Sequence, residues 1–469
     1  MSVLPLQITP VALRRAVVGQ LVSSVGESGA RLLLSLVLAR WLSPAEMGQF
    51  ALAMAVFGVA QLLRDLGVST WLQREAALTQ AHFSAALGLL ALSTAVLTLA
   101  LLVLAEPLAR HWGQPGLARL LWVLAPVLPL SAFSSVMAAL QLRALAAGAL
   151  ARTSWLGLWV QALVSLACSA QGGGAMGLAW AQVATTLVCG LAHLGMRPAG
   201  LAWRPRWRGM GEVLRRAVGG LPPAALFTLH GLLPDLLLGR LGGAHALGLL
   251  GRAQGVVGLT QLLAGRVLAF GSLPVLAQRQ AQALPLEPAL RRAMAVITGV
   301  GWPLLALTVA YGAPLVRLLY GPAWLEAVPA LLPLAIVAAL SLMFSQLGAA
   351  LAAAGGAHRA VLPLAVSLLL RLAAVAWMFE GSVASFAWAL AAAALATLPV
   401  QLVVSARHLG QPPAAVWAAV RGSALAAAVV VVVPVTVAPL AWLAVLRASR
   451  HPLLDEWAQL SRRRMTSRK

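Results

Sequence analysis

Lysine is all but missing from this chain: of 34 basic residues only Lys469 is not arginine. A Walker A phosphate loop needs a lysine beside its glycines, and a Schiff-base site needs one too, so nucleotide hydrolysis by that route is excluded. Cysteine is almost as rare. Cys168 and Cys189 lie in apolar stretches with no CxxC spacing, which supports neither a disulfide framework nor a zinc site. They read as buried thiols. Charge of either sign is scarce, at 10% of residues, and only 12 residues are acidic.

What fills the chain instead is apolar. Hydrophobic residues make up 61% of 469, and mean hydropathy is +0.89, whereas a water-soluble domain is about 45–50% apolar and about 25% charged. Nearly the whole chain therefore asks for lipid as its solvent. At roughly 20 residues per span its length allows about a dozen helices, with nothing left for a soluble catalytic domain. Apolar runs bounded by charge or by Gly/Pro clusters predict spans at 16–40, 49–70, 83–105, 117–141, 154–170, 175–196, 216–239, 246–275, 293–319, 328–354, 360–379 and 383–406. Arg14 and Arg15 precede a hydrophobic segment longer than a signal peptide's, so the first span reads as an uncleaved anchor. Residues 413–446 are apolar apart from Arg421 and contain Pro434 and Pro439; they read as a short hairpin or a single extra span, giving 12 to 14 helices.

The net charge of +22 is mostly a topology signal. With the N-terminus in the cytoplasm, eighteen arginines fall on the cytoplasmic side of the predicted spans and five (Arg40, Arg110, Arg119, Arg240 and Arg317) on the other, which satisfies the positive-inside rule. The densest cluster, at 196–216, interleaves Trp203 and Trp207 with Arg204, Arg206 and Arg208. In a soluble protein it would suggest nucleic acid. Between two spans it reads as a cytoplasmic linker on anionic lipid headgroups, and no nucleic-acid partner is expected.

The linker also sits near a repeat boundary. At an offset of 200, residues 40–63 align without a gap on 240–263, pairing Arg40 with Arg240, Gly48 with Gly248, Gly58 with Gly258 and Gln61 with Gln261. Six spans separate the copies, an even number, so both copies have the same orientation. That is a parallel repeat. The expected architecture is an all-α polytopic membrane protein of two six-helix bundles at 1–196 and 216–410, joined by a basic linker at 197–215. A terminal hydrophobic segment at 411–446 and a basic tail at 447–469 follow.

The segment LVLARWLSPAEMGQFALAMAVFGVAQLLRDLGVSTWLQRE at 36–75, with PDLLLGRLGGAHALGLLGRAQGVVGL at 234–259 and FGSLPVLAQRQ at 270–280, resembles one branch of the multidrug/oligosaccharidyl-lipid/polysaccharide flippase superfamily. The branch is that of polysaccharide exporters and O-antigen-type flippases, and the resemblance covers the chain to about residue 410. It implies two six-helix lobes facing each other around a cavity, working by alternating access in a bacterial inner membrane. The cargo it implies is a lipid-linked oligosaccharide on undecaprenyl pyrophosphate, made for lipopolysaccharide or exopolysaccharide, with polysaccharide-assembly proteins as further partners. Members with fourteen spans match a terminal hairpin; the short, proline-broken tail of this chain departs from the pattern.

Ionisable groups at membrane depth are costly unless paired or facing a wet cavity. Glu27 and Arg31 are four apart in one span and suited to an internal pair. Asp235 lies near Arg240 and reads as an interfacial pair or an ion-coupling site, and His230 as a core histidine or a titrating one. Arg252 and Arg266, about 21 Å apart along one helix, and Arg371, central in its span, are candidates with Arg31 for binding a pyrophosphate or acidic sugar through the five-donor guanidinium fork. Tryptophans near span ends, among them Trp41, Trp71, Trp112, Trp324 and Trp417, read as interface anchors. The chain thus reads as a transporter and not an enzyme, with no catalytic residue, metal or cofactor implied. Two rivals stand beside that reading. One is a drug or small-amphiphile exporter of the same fold; the other is a glycan polymerase or ligase, for which the outward connection at 106–116 offers only Glu106 and His111.

Overall fold

The computed structural model describes residues 10–75, 78–144, 146–196, 201–219, 221–281, 285–354 and 356–454, with side chains except at 10–22, 24–25, 147, 221–223, 264–281, 352–353 and 357. Helices are the regular structure throughout the described residues, and no strand occurs among them. Lipid leaves that choice: backbone N–H and C=O groups inside hydrocarbon must bond within their own segment. Ten described helices are long and apolar enough to cross a membrane, or eleven if one bent pair counts as a single span. The chain is a multi-span membrane protein.

By packing it divides into two compact units, Met1–Gly248 and Leu249–Lys469. The first holds α1 (Pro10–Trp41), α2 (Pro44–Asp65), α3 (Val68–Arg74), α4 (Gln80–His111), α5 (Pro115–Leu124), α6 (Val127–Arg143), α7 (Ala147–Ala170), α8 (Gly174–Leu194), α9 (Met210–Val218) and α10 (Leu221–Leu241). The division falls within α11 (Gly243–Ala281), downstream of the 197–215 linker, because α10 packs against α2.

Local chemistry sets the helix ends. Ser43 caps α2 reciprocally: its Oγ accepts from Glu46 N–H, and the Glu46 carboxylate accepts from Ser43 N–H at 2.8 Å, with Pro44 in the first turn. This is a capping box with a preset first φ. The span expected at 117–141 is two helices, α5 and α6, bent by 46° where Pro126 removes a backbone donor. Around this bend Leu117, Leu120, Leu121 and Leu124 pack with Leu52, Phe57 and Ala105 in the main core of the first unit.

The repeat-related glycines meet. A methyl group on Gly48 would lie 1.7 Å from Ala244 O, and one on Gly248 would lie 1.9 Å from Pro44 O. The start of α2 and the start of α11 thus cross backbone on backbone, in the manner of small-residue crossings in membranes. No other residue fits at either position without moving a helix.

The second unit contains α12 (Glu287–Ala310), α13 (Gly312–Leu319), a 3-10 turn at Pro322–Ala330, α14 (Leu331–Met343), α15 (Leu347–Ala353), α16 (Val361–Met378), α17 (Val383–Leu409), α18 (Pro413–Val432) and α19 (Ala438–Ala448). The terminal hairpin is present as α18 and α19, packed on each other. With 11 residues, α19 reaches about 16 Å, half of the roughly 30 Å hydrocarbon core. Two residues past its end the chain turns at Arg450, whose φ is 48°. There His451, 4% exposed, closes a polar chain through the unit's interior. Leu453 N–H donates to His451 Nδ1 at 3.3 Å, His451 Nε2 lies 3.2 Å from Ser423 Oγ, Ser423 Oγ lies 2.8 Å from Thr298 Oγ1, and Thr298 donates to Met294 O at 2.8 Å. Since Nδ1 must accept, the ring carries its proton on Nε2. Gly299 and Gly422 make room for it: a methyl group there would come within 2.5 and 3.1 Å of the imidazole.

Candidate functional site

The sequence-predicted charges fall into separate settings. Glu27 and Arg31 form the expected i,i+4 pair on α1, with Arg31 Nη2 and Nε donating to Glu27 Oε1 at 2.7 and 3.1 Å. The arginine side chain is 57% exposed against 19% for the glutamate. On α10, Asp235 is half-buried and Arg240 exposed; no ion pair joins the two among the described residues. A five-residue step places them off the same helix face, which explains the missing contact. His230 is half-buried on the same helix.

Arg252, on α11, does not stand alone in an apolar wall. Its guanidinium lies over the rings of Tyr320 and Trp324, at 5.4 and 5.8 Å from their centroids. The rings themselves are 2% and 0% exposed. The sharp turn at Gly321, with φ of 101°, lets the chain pass from α13 into the Pro322–Ala330 turn and brings both rings to one place. A cation over aromatic faces gains about 0.5–1 kcal/mol at exposed sites and more when desolvated. Arg371 is 8% exposed at the middle of α16, one turn beyond Ser367 at 7%. The side chain of Arg266 lies outside the described residues.

Three expected interface tryptophans are packed inward. Trp324 is fully buried under Arg252, Trp71 is 7% exposed, and Trp112 donates from Nε1 to Leu236 O at 3.2 Å. Trp41 and Trp417 are 53% and 64% exposed, which an interface anchor requires.

Two further arginines, counted by position among the orienting charges, are interior. Arg64, at the end of α2, is 4% exposed. Its Nη1 donates to Leu128 O and Ser131 Oγ, both at 3.3 Å, and its Nη2 to Ser135 Oγ at 3.5 Å. Arg143, 5% exposed, donates to the carbonyls of Leu72 and Glu75. The signal for Arg64 is in the sequence: SAFSS at 131–135 is a cluster of hydroxyls inside an apolar span, which needs a polar partner at membrane depth.

Comparison with known proteins follows the same lines. The sequence model of a family described as "Polysaccharide biosynthesis protein" matches residues 37–329. No protein with curated function matches the sequence. Among solved structures, the fold is similar to that of the lipid II flippase MurJ in an inward closed conformation, with TM-score 0.77 and 11% identity over 91% of this chain and 97% of that one. It is also similar to the inward-facing conformation of a multidrug resistance MATE family transporter of the MOP superfamily, with TM-score 0.60 and 15% identity over 81% of this chain and 94% of that one. At these identities the likeness shows the fold alone.

Proposed function

We propose, for a chain that belongs to this polysaccharide biosynthesis protein family, that it moves a lipid-linked saccharide across the bacterial inner membrane, N-terminus in the cytoplasm, as a non-enzymatic flippase. One observation carries the reading: a polysaccharide biosynthesis family model matches residues 37–329 of a chain whose fold is similar, over 91% of its length, to that of a lipid II flippase. In this reading the cargo is a saccharide on undecaprenyl pyrophosphate, destined for O-antigen or exopolysaccharide. Its phosphates are met by Arg371 and Arg266, with Arg252 held in its aromatic cage and Arg31 paired to Glu27. The planar fork of arginine suits phosphate oxygens. The basic linker gathers anionic headgroups near the point of entry, and polysaccharide-assembly proteins take up the product. Glu27, Asp235, Arg240 and His230 are the groups that would couple the cycle to an ion gradient.

The test is a strain that depends on this chain for its surface polysaccharide, complemented with R266A/R371A at matched membrane abundance. Surface polysaccharide should fall to background while lipid-linked precursor accumulates. Wild-type surface polysaccharide in that strain would remove both arginines from the route.

A further inference from the structure

A groove of about 610 Å³ runs along the first unit between α4 and α6. From Leu87 to Leu102 it follows 16 residues of α4, about 22 Å, more than half of the roughly 30 Å hydrocarbon core. Its wall is apolar except for two hydroxyls, Thr94 and Thr98. Both Oγ1 atoms are buried without a hydrogen-bond partner, and Thr94 is 5% exposed. Shielded in this way, neither oxygen faces the cleft, whose accessible wall is apolar.

The linker closes one end. The side chain of Gln80 holds Ala202 at both ends, donating to its O at 2.8 Å and accepting from its N–H at 3.1 Å, and Arg206 N–H donates to Ser84 O at 2.9 Å. Gly88 allows this approach, because a methyl group there would lie 2.3 Å from Arg206 O. Trp203 wedges between Phe83 and Phe133, with ring centroids 5.1 and 5.2 Å away, and with Pro205 it lines the groove. So anchored, the linker presents exposed Arg204, Arg206 and Arg208 at the groove's mouth.

We infer that this groove is a binding site for one anionic glycerophospholipid of the bilayer, its acyl chain between α4 and α6 and its phosphate among Arg204, Arg206 and Arg208. Charge complementarity selects an anionic lipid over a zwitterionic one. Every residue of the site comes from the first unit, which fits a resident lipid better than cargo, since cargo needs a site whose access alternates. The lipid would brace the linker against α4, a role separate from the proposed transport route.

Native mass spectrometry of the full-length, delipidated protein tests this, with dioleoyl phosphatidylglycerol, dioleoyl phosphatidylcholine and undecaprenyl phosphate as probes. One phosphatidylglycerol should bind at least about tenfold more tightly than phosphatidylcholine, given the contribution of each arginine near a lipid surface. R204Q/R206Q/R208Q should lose that preference, and A91W, at an exposed position on the groove wall, should lose the bound lipid while keeping the wild-type melting temperature in detergent. Equal binding of both phospholipids, or phosphatidylglycerol binding unchanged in either variant, would overturn the inference. So would displacement of phosphatidylglycerol by undecaprenyl phosphate that A91W abolishes, since the groove would then hold the cargo lipid. The readout is binding, so a failed transport assay leaves it standing.

Discussion

Each unit holds an arginine against packed groups, buried for Arg64 and half-buried for Arg252, and they do it by different chemistry. In the first, Arg64 is gripped at its edges: Leu128 O, Ser131 Oγ and Ser135 Oγ accept its N–H groups. In the second, Arg252 is gripped by its face, over Tyr320 and Trp324. Directional hydrogen bonds from a buried charge fix one geometry, and losing them leaves acceptors unsatisfied. Stacking fixes the plane of the group while permitting N–H bonds within that plane. The lesson is that burial alone does not mark an arginine as functional. Arg64 ties α2 to α6, whereas the rings beside Arg252 fix the plane of its guanidinium.

Several substitutions sharpen this contrast. The largest loss is expected for R64A, about 3 kcal/mol from hydrogen bonds to a charged group, read as a lowered melting temperature in detergent; a variant that melts with the wild type would show the serine ties to be idle. R252A should lose about 2 kcal/mol for two desolvated cation-π contacts, and with it transport. R252K should recover part of the stability and little of the transport, because an ammonium does not reproduce a stacked fork. Recovery of both by lysine would reduce the cage to a charge holder. Y320L removes one ring and is expected to lower stability by about 1 kcal/mol, again by thermal melt. R31A, which breaks an exposed pair, should change the melt by under about 1 kcal/mol, so a large drop there would place Glu27 in a tighter role than its exposure indicates.

Much of the fold was legible before any coordinates, because lipid restricts the backbone to helices and composition then counts them. Each of the twelve predicted spans has a helix or a broken pair of helices in its place. The offset that paired Gly48 with Gly248 found two residues that touch, since a backbone crossing admits only glycine. Less legible were features set by partners distant in sequence. Arg64 and Arg143 sit at span ends, where orienting charges also sit, and only the acceptors on α6, Leu72 and Glu75 show that they turn inward. Trp324 looked like an anchor for the same reason: position along a helix does not tell a lipid face from a packed one. The bend at Pro126 was written in the sequence as a proline, but bent spans and straight ones have the same hydropathy. The polar chain from His451 to Thr298 joins residues more than 150 apart, and one end of the groove beside α4 is closed by a linker distant in sequence.

Movement of a lipid-linked saccharide across a bilayer by this chain is open to direct measurement. Purified protein in liposomes loaded with a fluorescent undecaprenyl-pyrophosphate saccharide tests it directly, by following how much label an impermeant quencher reaches over time. The account predicts that the protected pool becomes quenchable in protein-containing vesicles and stays protected in empty ones and in those carrying R266A/R371A. A protected pool that persists beside folded wild-type protein would contradict it.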